Sequence, residues 1–343
     1  MGERLLFISR KAPGYGGMQR LTKDLIRAFS VMEGVALRVC VPYNQCDLSF
    51  PLRTLYECVR AMIIGSHIHL GDAALASLGA LLNVIGRSHV TVTACGLDVI
   101  YPDPLYQCLI RWSLPRLDRV IAISHATAEE VRRRGVAEEK ISFIPCGIWP
   151  EECRAMNNDR ARGPILLSIG RLIPRKGFAW FIQDVLPKLL TKFPTLKYFI
   201  IGSGKEEKLI KKIIQIKNFG GHVVLLGSAS NSTREELLQQ ADHLIVPNVH
   251  VDGDMEGFGI VCIEASARGL PVVAARLEGL TDAVSDRETG RLFESGNAEQ
   301  CAHTICALLE HPLSPASVSE TTLRTYSWEK LIPRYYNAVF RAR

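Results

Sequence analysis

Two glutamates eight residues apart, Glu256 and Glu264, bracket the apolar run of EGFGIVCIE, in which Gly257, Phe258, Gly259 and Ile260 follow the first acid. The run comes after a strand-like HLIV, Pro247 and a polar loop, and it reads as the start of a helix. Gly257 and Gly259 remove side chains where the first helical N–H groups are unpaired, so a phosphate could approach those donors and meet the positive end of the helix dipole. On one helix the two carboxylates would stand roughly 12 Å apart along the axis, at about 1.5 Å per residue. That separation would let one carboxylate meet a sugar and the other a ribose across a diphosphate, each accepting hydrogen bonds from vicinal hydroxyls. Taken alone, such a pair is more often surface charge that favours the dipole.

A second constellation supplies the opposite charge. GRLIPRKG, Gly170 to Gly177, directly follows the apolar run Ile165 to Ile169. Arg171 can grip phosphate oxygens as a fork, and Lys176 adds a movable point charge. A departing diphosphate gains negative charge in the transition state, where preorganised cations stabilise it, and no metal is then required. By itself the pair could equally decorate a turn before a helix.

These residues need a scaffold that delivers loops at strand ends. Leu5 to Ser9 is an apolar run ending at the glycine-rich turn Gly14 to Gly17, after which Leu21, Leu25, Ile26 and Phe29 fall at helical spacing. Strand-like runs recur at 36–41, 89–93, 119–123 and 141–144, and again at 165–169, 198–201, 222–226, 243–246 and 272–274, with helical stretches such as Phe178 to Leu190 and Glu235 to Gln240 between them. Alternation of this kind implies parallel sheets. The expected fold is therefore α/β: two Rossmann-like, doubly wound domains facing across a cleft, with ligands at the carboxyl ends of the strands. The polar stretch 149–163 reads as a linker between an N-terminal domain, 1–148, and a C-terminal domain, 164–325. An amphipathic helix in 326–343 could pack back on the N-terminal domain.

Composition fits this reading and excludes others. Hydrophobic residues make up 47% and charged residues 22% of 343, which is globular and neither disordered nor fibrous. The ten cysteines form no C-x-x-C pair or metal-spaced cluster and read as reduced residues of a cytoplasmic protein. The apolar N-terminal run is too short for a signal peptide, and Met62 to Gly86 is broken by His67, His69 and Asp72, so no membrane span is expected. The net charge of +6 is modest. The basic runs Arg132 to Arg134 and Lys205 to Lys212 are either solvated helix faces or contacts to anionic lipid or phosphate. Nucleic acid is not an expected partner.

Over nearly its whole length the chain resembles the retaining glycosyltransferases of family 4, whose two-domain fold is called GT-B. The E-x7-E element from Glu256 to Glu264 carries most of the likeness, followed by Gly170 to Gly177. The resemblance implies a nucleotide-diphosphate sugar as donor substrate, no cofactor, and a saccharide or lipid-linked acceptor, with peripheral contact to the inner face of a membrane. It implies that Glu256 orients the donor sugar, Glu264 the ribose, and Arg171 with Lys176 the diphosphate. It also implies that Gly16 and Gly17 let the backbone approach the donor, and that Gly227 and Ser228 meet the base through their backbone. DRVIAISHATAEE, Asp118 to Glu130, and ISFIPCGI, Ile141 to Ile148, are similar to family segments too, with Ser124 placed to cap a helix. One element departs: where the family has His-Gly-x-Asp, this chain has Cys95-Gly96-Leu97-Asp98. Either Cys95 fills part of the histidine's place, or the acceptor side is built differently, with His125 as a stand-in beside Asp98. Two other readings stay open: a nucleotide-sugar epimerase, and a non-catalytic nucleotide-sugar or saccharide-binding relative.

Overall fold

The structure, a computed structural model, describes residues 2–12, 16–44, 46–86, 88–153 and 163–341. It forms two compact units: one runs to Gly147 and takes in the chain from Trp328 onward, and the other spans Ile148–Ser327. Most of the stretch read as a linker, 154–162, and residues 13–15, with Gly14 and Tyr15 of the glycine-rich turn, lie outside the described residues.

The first unit holds β1 (Glu3–Ile8), β2 (Val35–Cys40), β3 (His67–Leu70), β4 (Val90–Ala94), β5 (Arg119–Ala122) and β6 (Ile141–Phe143). They pair in parallel in the order β2-β1-β3-β4-β5-β6. Leu5 to Ile8 and all of β4 are buried, as a strand covered on both faces requires. Strand β3 is absent from the sequence-based series because its histidines interrupt the apolar run. His69 is nevertheless core: its Nδ1 and Nε2 meet the hydroxyls of Thr91 and Thr93 at 2.7 and 2.9 Å. Burial pushes its pKa down to about 3, so the ring is neutral at ordinary pH. The helix Trp328–Phe340 belongs to this unit, with Tyr335 edge-on to Phe29 and Phe340 edge-on to His67.

The second unit holds β7 (Ile165–Ile169), β8 (Lys197–Ile201), β9 (Val223–Gly227), β10 (His243–Val246), β11 (Val272–Ala275) and β12 (Gly290–Phe293). This sheet is also parallel, in the order β12-β11-β10-β7-β8-β9. The order reverses between β7 and β10, the switch point at which open α/β sheets place their ligands. The helical run after β7 is not uniform. Phe181–Val185 is a π-helical turn just before Pro187, which has no N–H to continue the α-helical ladder. Both units are therefore Rossmann-like and doubly wound. No helix among the described residues is long and apolar enough to cross a membrane.

Candidate functional site

The loops leaving β7 and β10 meet at Gly177. Its φ is +66°, and an added Cβ would lie 1.9 Å from the carbonyl oxygen of Pro247. Only glycine accommodates both the left-handed backbone and that approach. The contact brings Arg175 and Lys176, from the first loop, under Asn248, Asp254 and Glu256, from the second.

Three donors converge on one oxygen of Glu256. Arg175 Nη1 and Lys176 Nζ each lie 2.5 Å from Oε2, and Asn248 Nδ2 donates to the same atom at 2.9 Å. Arg175 also pairs with Asp254, its Nε 3.0 Å from Oδ1. Burial works to raise the Glu256 carboxyl, but Lys176 and Arg175 outweigh it and hold the pKa at about 2. The backbone is fixed as well: the Glu256 N–H donates to the carboxylate of Glu278 at 2.5 Å, and the Gly279 N–H donates to the Glu256 carbonyl at 3.1 Å. Glu278 itself has a φ of +48°. The result is a fixed, ionised carboxylate beside buried cations at the reversal of the strand order.

One expectation needs correction here. Glu256 does not begin a helix: the helix spans Ile260–Ser266, with Gly259 at φ +90° before it. Gly257 and Phe258 are non-helical, so the helical rise does not set the spacing of the two glutamates. Positive-φ glycine breaks the period that the apolar run suggested. The two cations named from the sequence lie in different settings. Lys176 reaches Glu256, but Arg171 is exposed and has no side-chain partner among the described residues. The buried guanidinium is that of Arg175, which sequence reasoning passed over although it adjoins Lys176 in the same loop. Asn248 and Glu278 were missed too; the only available signal was that Asn248 falls just beyond the end of a buried strand.

Glu264 lies on the helix Ile260–Ser266 and is ion-paired to Arg234. Nearby Arg268 is held by Glu235 through two contacts of 2.8 Å and donates to the Glu264 carbonyl at 2.7 Å. Gly227 ends β9 with a φ of +60°, and Ser228 after it is exposed.

Comparison with known proteins now identifies the family. The sequence profile of the glycosyl transferases group 1 matches residues 151–324, half of the chain and nearly all of the second unit. The chain belongs to that family. The profile of glycosyltransferase family 4 matches residues 52–152. A phosphatidyl-myo-inositol mannosyltransferase of Mycolicibacterium smegmatis is 33% identical over 184 residues, 52% of this chain and 46% of the relative. The amylovoran biosynthesis glycosyltransferase AmsK of Erwinia amylovora is 29% identical over 248 residues, 70% of this chain and 60% of that one. The chain thus matches about half the length of these curated relatives. Among solved structures, Anabaena Alr3699/HepE in complex with UDP aligns with a TM-score of 0.78 at 17% identity, covering 97% of this chain and 98% of that one. The sucrose-phosphate synthase of Thermosynechococcus elongatus aligns at 0.80 and 21%, covering 99% and 100%. These likenesses establish the GT-B fold.

In this group 1 glycosyl transferase the remaining candidates sit in the first unit. Gly16, at φ +112°, and Gly17 open the helix Gly17–Ser30 and are exposed. Asp98 is buried and accepts the backbone N–H groups of Ala73 and Cys95, both at 2.8 Å, tying the turn after β3 to the turn after β4. Burial, then neighbouring Asp72, raises its pKa to about 7. Burial also lifts the Cys95 thiol far above its usual range, so it is not a ready nucleophile. His125 follows the Ser124 cap, whose hydroxyl accepts the Thr127 N–H at 3.0 Å, and lies tilted against Phe143 with ring centroids 4.1 Å apart.

Proposed function

We propose that this chain transfers a sugar, with retention at the anomeric carbon, from a nucleotide-diphosphate donor to a hydroxyl of a saccharide or lipid-linked acceptor. The carrying observation is the convergence of Lys176 and Arg175 on Oε2 of Glu256 at the reversal of the strand order. Lys176 and the exposed Arg171 would take the diphosphate, whose charge grows as the bond to the anomeric carbon breaks. Arg175 neutralises Glu256 from behind, so that the carboxylate stays ionised and its other oxygen accepts sugar hydroxyls. Glu264 would accept from the ribose, exchanging part of its pairing with Arg234. Gly227 and Ser228 would present backbone to the base.

Two of the similar proteins support the substrate classes: phosphatidyl-myo-inositol for the mannosyltransferase, and UDP for the Anabaena protein. Because the cations are the chain's own, donor binding should survive EDTA. The test is thermal stabilisation by UDP, GDP, ADP and dTDP and their sugar conjugates. One nucleotide should raise the melting temperature with or without EDTA, and Lys176→Ala should remove the rise. If no nucleotide stabilises the wild-type chain, the reading fails.

A further inference from the structure

Among the described residues, three that are not glycine adopt a positive φ: Asn218, Glu278 and Arg287. Asn218 and Arg287 are exposed in turns, and asparagine tolerates that backbone state. Glu278 is different, because its half-buried side chain reaches the candidate donor site. At φ +48° its Cβ crowds the backbone, a strain that persists only where the surroundings over-determine it. They do so here. Glu278 stands between β11 and the short helix Leu280–Ala283, where the Leu277 N–H donates to the Ala275 carbonyl at 2.9 Å and the Thr281 hydroxyl donates to the Glu278 carbonyl at 2.8 Å. The turn so formed aims the Glu278 carboxylate at the Glu256 N–H, and the next amide, that of Gly279, at the Glu256 carbonyl.

Electrostatics disfavour a glutamate at this position too. Burial pushes the Glu278 carboxyl up and the neighbouring charge of Glu256 adds to the push, while the Glu256 amide and Arg175 oppose them. Among the described residues its carboxylate makes no ion pair, and the Glu256 amide is its one hydrogen-bond partner. Glycine would adopt this backbone without strain and without bringing a second acid. What glycine cannot supply is the acceptor for the Glu256 N–H. With that acceptor, residue 256 is held at both ends: its N–H and C=O by Glu278 and Gly279, and its Oε2 by Arg175, Lys176 and Asn248. The oxygen left over is Oε1, and its direction follows from where the two ends are pinned. A displacement of about 1 Å at such an atom is enough to spoil a binding geometry.

We infer that Glu278 is a positioning residue: by holding the Glu256 backbone it aims Oε1 at the sugar of the donor, and the strained backbone is retained for that aim. The inference rests on the sugar-orienting role of Glu256 in the proposed function. The test first finds which of UDP, GDP, ADP and dTDP, and which of their hexose conjugates, the wild type binds most tightly. The two dissociation constants are then compared in each variant. Glu278→Gly should weaken the sugar conjugate by about tenfold relative to the bare diphosphate, the scale of one hydrogen bond to a charged group. The diphosphate itself should bind as in the wild type, because Lys176 keeps its place. The ligand-free glycine variant should melt close to the wild type, relief of strain offsetting the lost hydrogen bond. Glu278→Gln keeps a carbonyl acceptor and should restore the sugar's share of the affinity. A glycine variant with the wild-type ratio of the two constants overturns the inference. So does one that melts far lower and loses both ligands alike, which is the mark of a structural clamp. A wild-type chain that binds none of the four diphosphates instead removes the proposed function, and this inference with it.

Discussion

Lys176 Nζ lies 2.5 Å from Oε2 of Glu256, although eighty residues separate them in the chain. The pairing is a product of topology: parallel strands β7 and β10 are sheet neighbours, and the strand order reverses between them. Removing the lysine should therefore act on the site and not on the fold, because Arg175 and Asn248 still hold the carboxylate. Lys176→Ala is expected to abolish nucleotide-induced stabilisation and to lower kcat by roughly 100-fold or more, the scale of losing one preorganised transition-state contact. A variant that turns over donor like the wild type would refute the assignment.

Arg171 and Arg175 should separate cleanly. Arg175 is buried between Glu256 and Asp254, so Arg175→Ala leaves two carboxylates short of their partner and should destabilise the chain by about 3–5 kcal/mol. Arg171 is exposed, and Arg171→Ala should change stability by no more than about 0.5 kcal/mol. It should instead weaken nucleotide affinity. Denaturant melts with parallel nucleotide titrations read both; equal stability losses in the two variants would contradict the structure.

The carboxyl of Glu256 sits at about 2 in the folded chain, below its ordinary range. The stabilisation this carries is present above the unfolded pKa, near 4.3, and is lost as pH falls toward 2. Its full size is on the order of 3 kcal/mol for a shift of this extent. Between pH 5 and pH 2 the wild type should lose stability more steeply than Glu256→Gln. Parallel acid melts of the two proteins would show no such difference if Lys176 and Arg175 did not grip the acid.

Gly177 carries the contact between the two loops. At φ +66°, with a Cβ facing the Pro247 oxygen at 1.9 Å, Gly177→Ala must move one loop away from the other. Strain of this kind costs roughly 1–3 kcal/mol before the clash is counted. The expected outcome is a lower melting temperature together with a loss of nucleotide response, because Lys176 moves with the loop. Retention of both in the alanine variant would show that the loops are not coupled.

What could be read in the sequence tracks how locally each feature is encoded. Strands β1, β7 and β10 announce themselves as apolar runs because both faces are covered. Strand β3 does not, since His69 is made core by Thr91 and Thr93, some twenty residues away in sequence. Lys176 and Glu256 could be named from their glycine-flanked motifs, whereas Arg175 looks like any other loop cation until Asp254 and Glu256 close around it. The helix start was misplaced for a related reason: Gly259 adopts φ +90°, a backbone state that an apolar pattern does not record. The helix Phe50–Ile64 carries an exposed apolar stripe whose period is the same whether it faces inward or outward, so only the fold reveals which.

Asp98 gives the first unit a pH dependence opposite in sign to that of Glu256. Its carboxyl is raised to about 7, by burial first and by Asp72 second. A raised folded pKa means that its contribution is complete below the ordinary carboxylate range, near 4, and is lost as pH rises through 7, where the buried acid must ionise. The carboxyl oxygens accept the Ala73 and Cys95 amides, so Asp98→Asn keeps one acceptor and removes the ionisation. The variant should lose some stability at pH 5, where one amide goes unpaired, at about 1–3 kcal/mol. It should then hold nearly constant to pH 8 while the wild type declines toward it. Urea midpoints at pH 5, 6, 7 and 8 decide the matter: parallel profiles for the two proteins would mean that Asp98 is already ionised in the folded chain, held by its two backbone donors against the cost of burial.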